Sequence, residues 1–126
     1  MQSTTIMDVT IVAVPVSDQD KALEFFTGTL GFEKQLDVSL PSMRWLTVGP
    51  AGATTSIALT VGTESGPEPG TDTGIRFLVP DAEAEHTGMR AKGIEVGELL
   101  RWPGVPAMFE FRDPDGNRFE IVEATG

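Results

Sequence analysis

The chain contains an internal repeat, and this repeat constrains its fold more than any other feature. Its clearest elements are Val16-Ser17-Asp18, which returns as Val79-Pro80-Asp81, and Pro50-Ala51-Gly52, which returns as Pro114-Asp115-Gly116. The second spacing is one residue longer than the first, so a single insertion separates two copies of one supersecondary unit. We expect the two copies to enclose a cleft between them, where ligand sites commonly lie.

The composition indicates one domain. A length of 126 residues with 40% hydrophobic content is enough to close a single core, which we expect to span residues 1–126. The absence of cysteine excludes disulfides and thiol chemistry and agrees with a reducing compartment. No signal peptide and no run of roughly 18 apolar residues is recognised, so the sequence predicts a cytoplasmic protein without a membrane partner.

The charge balance narrows the choice of partners. Nineteen Asp and Glu residues against nine Lys and Arg residues give a formal net charge of −10 at pH 7. Such a chain repels the phosphates of nucleic acids, and we expect no nucleic-acid partner. The acidity serves either solubility or an attraction for cationic ligands.

The residue pattern predicts the order β-α-β-β-β in the first copy, residues 7–61. A β-branched apolar run at 9–16 indicates a strand. Ser17 and Asp18 are N-cap residues for a helix with apolar residues at three- and four-residue intervals, which ends at Gly31. Three strands are predicted to follow, at 32–38, 44–48 and 54–61.

The second copy, residues 74–124, repeats this order after a Gly- and Pro-rich linker at 62–73. A strand at 74–79 leads into a helix that begins after the N-cap Asp81 and ends at Gly93. Three strands are predicted to complete the copy, at 94–100, 107–112 and 118–123.

At these residues the chain resembles the glyoxalase, bleomycin resistance and extradiol dioxygenase superfamily, also called the vicinal oxygen chelate proteins. The resemblance rests on motifs that span almost the whole chain, namely Val16-Ser17-Asp18, Leu30-Gly31-Phe32, Arg44-Trp45-Leu46, Val79-Pro80-Asp81, Lys92-Gly93-Ile94 and Phe111-Arg112-Asp113-Pro114-Asp115-Gly116-Asn117 with Glu120. It implies an α+β fold in which two βαβββ modules form an incomplete barrel-like cup with the helices outside. It also implies a ligand site inside the cup and a homodimer, with modules paired either within one chain or between two chains.

Metal-dependent members of that family hold a divalent ion through His, Gln or Glu at four strand positions. The matching residues here are Ile11, Ser56, Gly74 and Glu120. Only Glu120 is a usual ligand, whereas a transition ion needs at least three imidazole, carboxylate or thiolate donors. The only histidine, His86, lies in the second predicted helix, on the far side of the sheet from the cup. We therefore predict no metal and no cofactor, and leave open only Mg²⁺ or Ca²⁺ on scattered carboxylates.

Alternation along the strands assigns the cup-facing side chains, because every second residue of a strand shares a face. One wall carries Arg76, Arg118 and Glu120, and the other wall, with Ser56, is small and weakly polar. In a partly desolvated cup Glu120 is either a general base or a partner for a cationic ligand group. Alternatively it is a structural partner of Arg76 or Arg118. Arg76 is either such a partner or an anchor for a substrate anion.

The two tryptophans are candidates for stacking on a flat ligand. Trp102 precedes Pro103 in a predicted loop that the resemblance places at the mouth of the cup. Trp45 is either a ligand contact or a core residue. We assign the turn Asp113–Asn117 to structure, since its residue types are those that tight turns require.

The favoured hypothesis is a metal-free small-molecule-binding protein that sequesters an antibiotic or a toxin, with planar cationic compounds preferred. It rests on the missing ligand set, the acidity and Trp102. The alternative is a metal-independent lyase or isomerase that uses Glu120 as general base while Arg76 or Arg118 holds an anionic substrate. A metalloenzyme, and a protein that acts through a partner and not through its cup, stay open as further alternatives.

Overall fold

The computed structural model describes residues 4–62 and 66–125, so residues 63–65 of the predicted linker and the ends 1–3 and 126 of the predicted domain lie outside the described residues. The elements in chain order are β1 (Ile11–Pro15), α1 (Gln19–Leu23), a π-helical segment (Glu24–Thr29), β2 (Glu33–Ser39), β3 (Arg44–Gly49), β4 (Ser56–Thr60), β5 (Asp72–Val79), α2 (Ala82–Ala91), β6 (Glu95–Val96), β7 (Leu100–Trp102), β8 (Val105–Arg112) and β9 (Arg118–Glu123). The predicted order therefore occurs twice, except that the single strand predicted at 94–100 is divided into β6 and β7.

Each module contributes one sheet. The first sheet has the strand order β1-β4-β3-β2, and the second has the order β5-β9-β8-β6 with β7 also paired to β8. In both sheets the first strand of the module lies parallel to its last strand, and the other pairs are antiparallel. Two helices with two mixed sheets make an α+β fold that is not a closed barrel, which confirms the predicted fold class.

Both helical stretches, the first of which includes the π-helical segment, begin after the predicted N-cap and stop at the predicted glycine. Asp18 and Asp81 are the N-caps, and each side chain accepts a hydrogen bond at 3.1 Å from the backbone N–H three residues on. Gly31 and Gly93 follow the helical stretches with φ of 81°, a left-handed conformation that favours glycine. Over the described part of the chain, no helix combines the length and apolar character that crossing a membrane would require.

The prediction of one regular helix in the first module is wrong in its second half. Residues Glu24–Thr29 are π-helical, and the N–H of Leu30 donates to the carbonyl oxygen of Phe25, five residues back, at 3.0 Å. The Thr27 hydroxyl donates to the carbonyl oxygen of Leu23 at 2.6 Å, and this oxygen is the acceptor that an α-helix would give to the Thr27 N–H. A side chain thus competes with the backbone at the point where the helix widens.

One hydrophobic core joins the two modules. Phe26 of the π-helical segment is fully buried and packs edge-to-face on Phe119 of β9, with ring centroids 5.8 Å apart. Phe32 packs in the same manner on Phe77 of β5, at 5.4 Å. The faces of both sheets that meet this aromatic cluster are buried, so the opposite faces form the open surface of the molecule.

A buried polar contact also crosses between the modules. Asn117, in the turn between β8 and β9, has no exposed surface and donates through Nδ2 to the carbonyl oxygen of Pro15, at the end of β1, at 2.8 Å. Asp115 of the same turn accepts from the N–H and the hydroxyl of Ser17, at 3.2 and 2.5 Å. The turn assigned to structure therefore lies at the junction of the two modules.

Candidate ligand-binding site

The open face of the first sheet is apolar and carries Trp45. The strand register pairs Trp45 with Val38 and Ser56 with Ile11, and directly paired residues point to the same side of a sheet. Ile11 is 41% exposed and Val38 is 44% exposed, whereas the opposite face of this sheet is buried. Trp45 is half-buried beside Val38 on the open face, which favours the ligand-contact alternative over the core alternative.

Ser56 is held by Gln35, a residue that the sequence analysis missed. The Ser56 hydroxyl donates a hydrogen bond to Oε1 of Gln35, which lies at a β-bulge between Lys34 and Leu36. The amide of Gln35 lies close over Gly49, where an added Cβ would stand 3.0 Å from Nε2. Because the bulge breaks the alternation of β2, a period-two pattern cannot assign Gln35 to a face. The only signal in the sequence is that interrupted alternation.

The open face of the second sheet brings together Arg76, Arg118 and Glu120, as predicted. Nε of Arg76 lies 3.3 Å from Oε2 of Glu120, and Nη1 of Arg118 lies 3.1 Å from Oε1. Each oxygen of the carboxylate is thus paired with a different guanidinium group. This arrangement favours the structural alternative for Glu120, because both carboxylate oxygens are already engaged in ion pairs.

Arg118 is the centre of this charged network. Its Nε donates to Oε2 of Glu110, and its Nη1 lies 3.3 Å from Oδ2 of Asp72. The hydrogen bond to Glu110 is the main cause that raises the pKa of Arg118 above its ordinary value. Arg118 therefore stays cationic at every physiological pH and acts as a fixed charge, not as a proton donor.

A cavity of about 270 Å³, called here the concave pocket, adjoins this network. It is lined by Glu98, Leu100, Met108, Phe109, Glu110, Arg118 and Glu120. Glu110 and Glu120 are paired with arginines, and Glu98 forms no ion pair among the described residues. The apolar side chains of Leu100 and Met108 lie beside these charges. This chemistry suits a ligand with a cationic group attached to an apolar body.

Trp102 lies apart from the concave pocket. The prediction that it belongs to a loop is wrong, because it ends β7 and pairs with Val105 of β8. It is 53% exposed and lines another cavity of about 490 Å³, together with Pro106 and Glu123. That cavity has no lining residue in common with the concave pocket, so Arg118 and Glu120 are not brought together with Trp102.

The four family metal positions do not form a donor set for a transition ion. Ile11 and Ser56 are register partners on the first sheet, and Gly74 has a φ of 71°. The remaining position, Glu120, already binds two guanidinium groups. Within residues 4–62 and 66–125 no three His, Cys, Asp or Glu side chains are grouped closely enough to hold a metal ion. His86 lies on the helix-covered face, where Nε2 is 2.8 Å from the carbonyl oxygen of Gly97.

Comparison with known proteins agrees with the motifs. Residues 9–121 match the family model described as the Glyoxalase/Bleomycin resistance protein/Dioxygenase superfamily, which confirms the resemblance. The uncharacterized protein YetH of Bacillus subtilis (strain 168) is 32% identical, and the match covers 94% of this chain and 99% of YetH.

Two solved structures are similar over their whole length. A member of the same superfamily from Sphaerobacter thermophilus DSM 20745 is 38% identical, with a TM-score of 0.90 over 96% of this chain and all of that chain. TnmS3, an antibiotic binding protein from Streptomyces sp. CB03234, is 31% identical, with a TM-score of 0.88 over 98% of this chain and all of that chain.

Proposed function

The chain belongs to the Glyoxalase/Bleomycin resistance protein/Dioxygenase superfamily, and from this premise we propose that it is a metal-free protein that binds and sequesters a small planar molecule of the antibiotic or toxin class. The observation that carries the proposal is the pairing of Glu120 with Arg76 and Arg118. At the single family ligand position with a donor side chain, two cations occupy the place where a metal ion would have to bind. The likeness to the antibiotic binding protein TnmS3 supports the ligand class.

The charges of the concave pocket support a cationic ligand. Glu110 and Glu120 are already paired with arginines, whereas Glu98 of the lining forms no ion pair among the described residues and is available to a cation. The net charge of −10 adds a long-range attraction for cations and a repulsion of anions. Leu100 and Met108 provide apolar contact beside these charges. A positively charged aromatic compound satisfies both parts of this surface.

The open face of the first sheet supports a homodimer. Ile11, Leu36 and Val38 are 41%, 49% and 44% exposed, on a sheet face that carries few charges. Ile11 lies on one edge strand of this sheet and Leu36 and Val38 lie on the other, with Trp45 between them, and exposed apolar residues gathered on one face commonly mark an interface. In the proposed dimer, this face of one copy covers the concave pocket of the other. Trp45 and Ser56 of one chain then line the site together with Arg118 of its partner.

Tryptophan fluorescence tests the proposal directly. We expect the planar cation proflavine to quench the emission in a saturable manner, and the planar anion fluorescein to bind at least tenfold more weakly. Trp45→Phe should remove most of the quenching, and Trp102→Phe should leave it. Prior treatment with EDTA should not change the affinity. No saturable response to proflavine, or loss of binding after EDTA, would contradict the proposed function.

The dimer is tested by sedimentation at increasing protein concentration. Val38→Glu places a charge on the proposed interface and should give a monomer with reduced affinity for proflavine. The matched control is Val61→Glu, because Val61 is 49% exposed but lies beyond the end of β4. Equal effects of both changes would contradict the proposed interface.

A cytoplasmic location stays a prediction, supported by the absence of cysteine.

A further inference from the structure

The repeat places two turns in equivalent positions at the junction of the modules. One is Asp113–Asn117, between β8 and β9, which lies against the end of β1. The other is the turn from Gly49 to Ala53, between β3 and β4, whose Pro50 lines the same two cavities as Phe77 of β5. Each turn therefore meets the first strand of the other module.

The two turns carry different side chains. The turn of the first module has no polar side chain at three positions where the turn of the second module has one. These positions are occupied by Gly49, Ala51 and Ala53 in the first module and by Asp113, Asp115 and Asn117 in the second. The first turn therefore lacks every polar side chain that fills the other junction. Across the described residues, no hydrogen bond joins this turn to β5. The junction between the turn at 49–53 and β5 is therefore less filled with side chains than the junction between Asp113–Asn117 and β1.

A cavity of about 210 Å³, called here the seam pocket, lies at this less-filled junction. Its side chains come from both modules and include Phe32, Pro50, Phe77, Glu85, Met89 and Phe111. It adjoins the cavity of about 340 Å³ with which it shares Pro50, Phe77 and Leu78. No lining residue of the seam pocket belongs to the concave pocket.

The lining of the seam pocket is aromatic with a single charge. The ring of Phe77 lies 5.4 Å from that of Phe32 and 6.1 Å from that of Phe111, centroid to centroid. Glu85 is the only charged residue of the lining, and among the residues that the structure describes it forms no ion pair. Aromatic faces and a carboxylate both attract an ammonium group.

We propose that the seam pocket is a second binding site, for a small amine with an apolar body of about one ring. The size follows from the volume, since an apolar cavity of about 150 Å³ accommodates benzene. A volume of about 210 Å³ leaves space for a short chain that carries the ammonium group to Glu85. This site is separate from the proposed function, because neither its residues nor its ligand size are those of the concave pocket.

Two methionines distinguish the sites in one experiment. Met89 lines the seam pocket and Met108 lines the concave pocket. In protein labelled with ¹³C at the methionine methyl groups, we expect 2-phenylethylamine to shift the Met89 resonance in a saturable manner and to leave Met108 unmoved. Ethylbenzene, which lacks the charge, should bind more weakly, and 3-phenylpropionate should not bind.

Substitutions on α2 test the role of the carboxylate. Glu85→Gln should lower the affinity for 2-phenylethylamine by about fivefold, the loss of one half-exposed ion pair, and should not change the affinity for ethylbenzene. The control is Glu83→Gln on the same helix, since Glu83 pairs with Arg101 at 3.4 Å and does not line the pocket. It should leave both affinities unchanged.

Several results would overturn the proposal. An unmoved Met89 resonance, or a shift of Met108 alone, would show that the amine does not enter the seam pocket. Equal effects of the two glutamate substitutions would remove the role of Glu85. A Met89 shift that depends on protein concentration without the amine would show that a second copy covers the pocket. Proflavine binding tests the concave pocket independently, so a failure there leaves the Met89 result interpretable.

Discussion

Removal of the Asn117 side chain should be among the most damaging single changes in this protein. The side chain makes four hydrogen bonds at the junction of the modules. Nδ2 donates to the carbonyl oxygen of Pro15 at 2.8 Å and to Oδ2 of Asp113 at 2.9 Å. Oδ1 accepts from the N–H groups of Gly70 and Thr71, at 2.8 and 3.1 Å. Asn117→Ala removes all four at once.

The magnitude follows from which partners water can reach. Gly70 is exposed and Thr71 is half-buried, so water replaces their lost acceptor. Pro15 and Asp113 are buried and lose a donor that water cannot supply. Each orphaned buried group costs about 1–3 kcal/mol. Asp113 keeps two backbone donors, which places the total near 3 kcal/mol, a large part of the roughly 5–15 kcal/mol that stabilises a typical domain.

Urea unfolding, followed by tryptophan fluorescence, measures this loss. We expect an unchanged slope against urea, a free energy of unfolding lower by about 3 kcal/mol, and a Tm lower by roughly 10 °C. The control is Gln35→Ala, which removes an amide of similar size from an exposed strand and should cost below about 1 kcal/mol. If the free energy of unfolding fell by the same small amount in both variants, the stability of the junction would not depend on Asn117.

Three further predictions concern single side chains. Glu120→Gln should weaken proflavine binding about fivefold, while the free energy of unfolding should change by less than about 1 kcal/mol. If the variant instead kept its binding and lost turnover of a carbonyl substrate, the general-base alternative would be favoured. Phe26→Ala should cost about 3–5 kcal/mol in urea unfolding because Phe26 is fully buried, and a loss below about 1 kcal/mol would refute its place in the core. Burial raises the pKa of Asp113 in the folded protein, although hydrogen bonds from Asn117 lower it. The contribution of Asp113 to the free energy of unfolding is therefore greatest below the ordinary Asp pKa of about 4. This contribution is lost as pH rises through the raised pKa of the folded state. The stability difference between the wild-type protein and Asp113→Asn should therefore fall as pH rises in urea titrations at a series of pH values, and a rise would refute the assignment.

The order of elements was predictable because its signals are local. Asp18 and Asp81 cap their helices through hydrogen bonds to residues three positions on, and Gly31 and Gly93 supply the left-handed conformation at the helix ends. None of these contacts requires knowledge of the rest of the chain. Because the chain contains an internal repeat, the order of elements predicted for one module also predicts the order in the other.

The division of the strand predicted at 94–100 was not predictable from local signals. The N–H of Gly97 donates to the carbonyl oxygen of Glu110 at 2.8 Å, and a Cβ at Gly97 would stand 2.7 Å from Cγ of Glu110. A side chain at this position would force the side chain of Glu110 to move. This close approach depends on a strand that is distant in sequence, which a pattern of apolar residues does not reveal.

The candidate site was predictable where the strands are regular. Alternation correctly placed Arg76, Arg118 and Glu120 on one face, but it left open whether Glu120 is a base or an ion-pair partner. That choice depends on side-chain distances of 3.3 and 3.1 Å, which only the folded chain defines. The face on which Gln35 lies and the strand pairing of Trp102 could not be predicted either, because the bulge in β2 and the pairing of β7 with β8 depend on tertiary structure.

The divergence of the two modules determines how a ligand should orient. A duplicated backbone repeats the topology, but the open face of the first sheet is apolar around Trp45, whereas that of the second carries Glu110, Arg118 and Glu120. A planar cation that contacts both faces should therefore place its ring against Trp45 and its charge against the second sheet. In the proposed dimer, the second copy brings the two faces together. If this proposal holds, Val38→Glu should abolish the quenching of Trp45 and the self-association of the protein together.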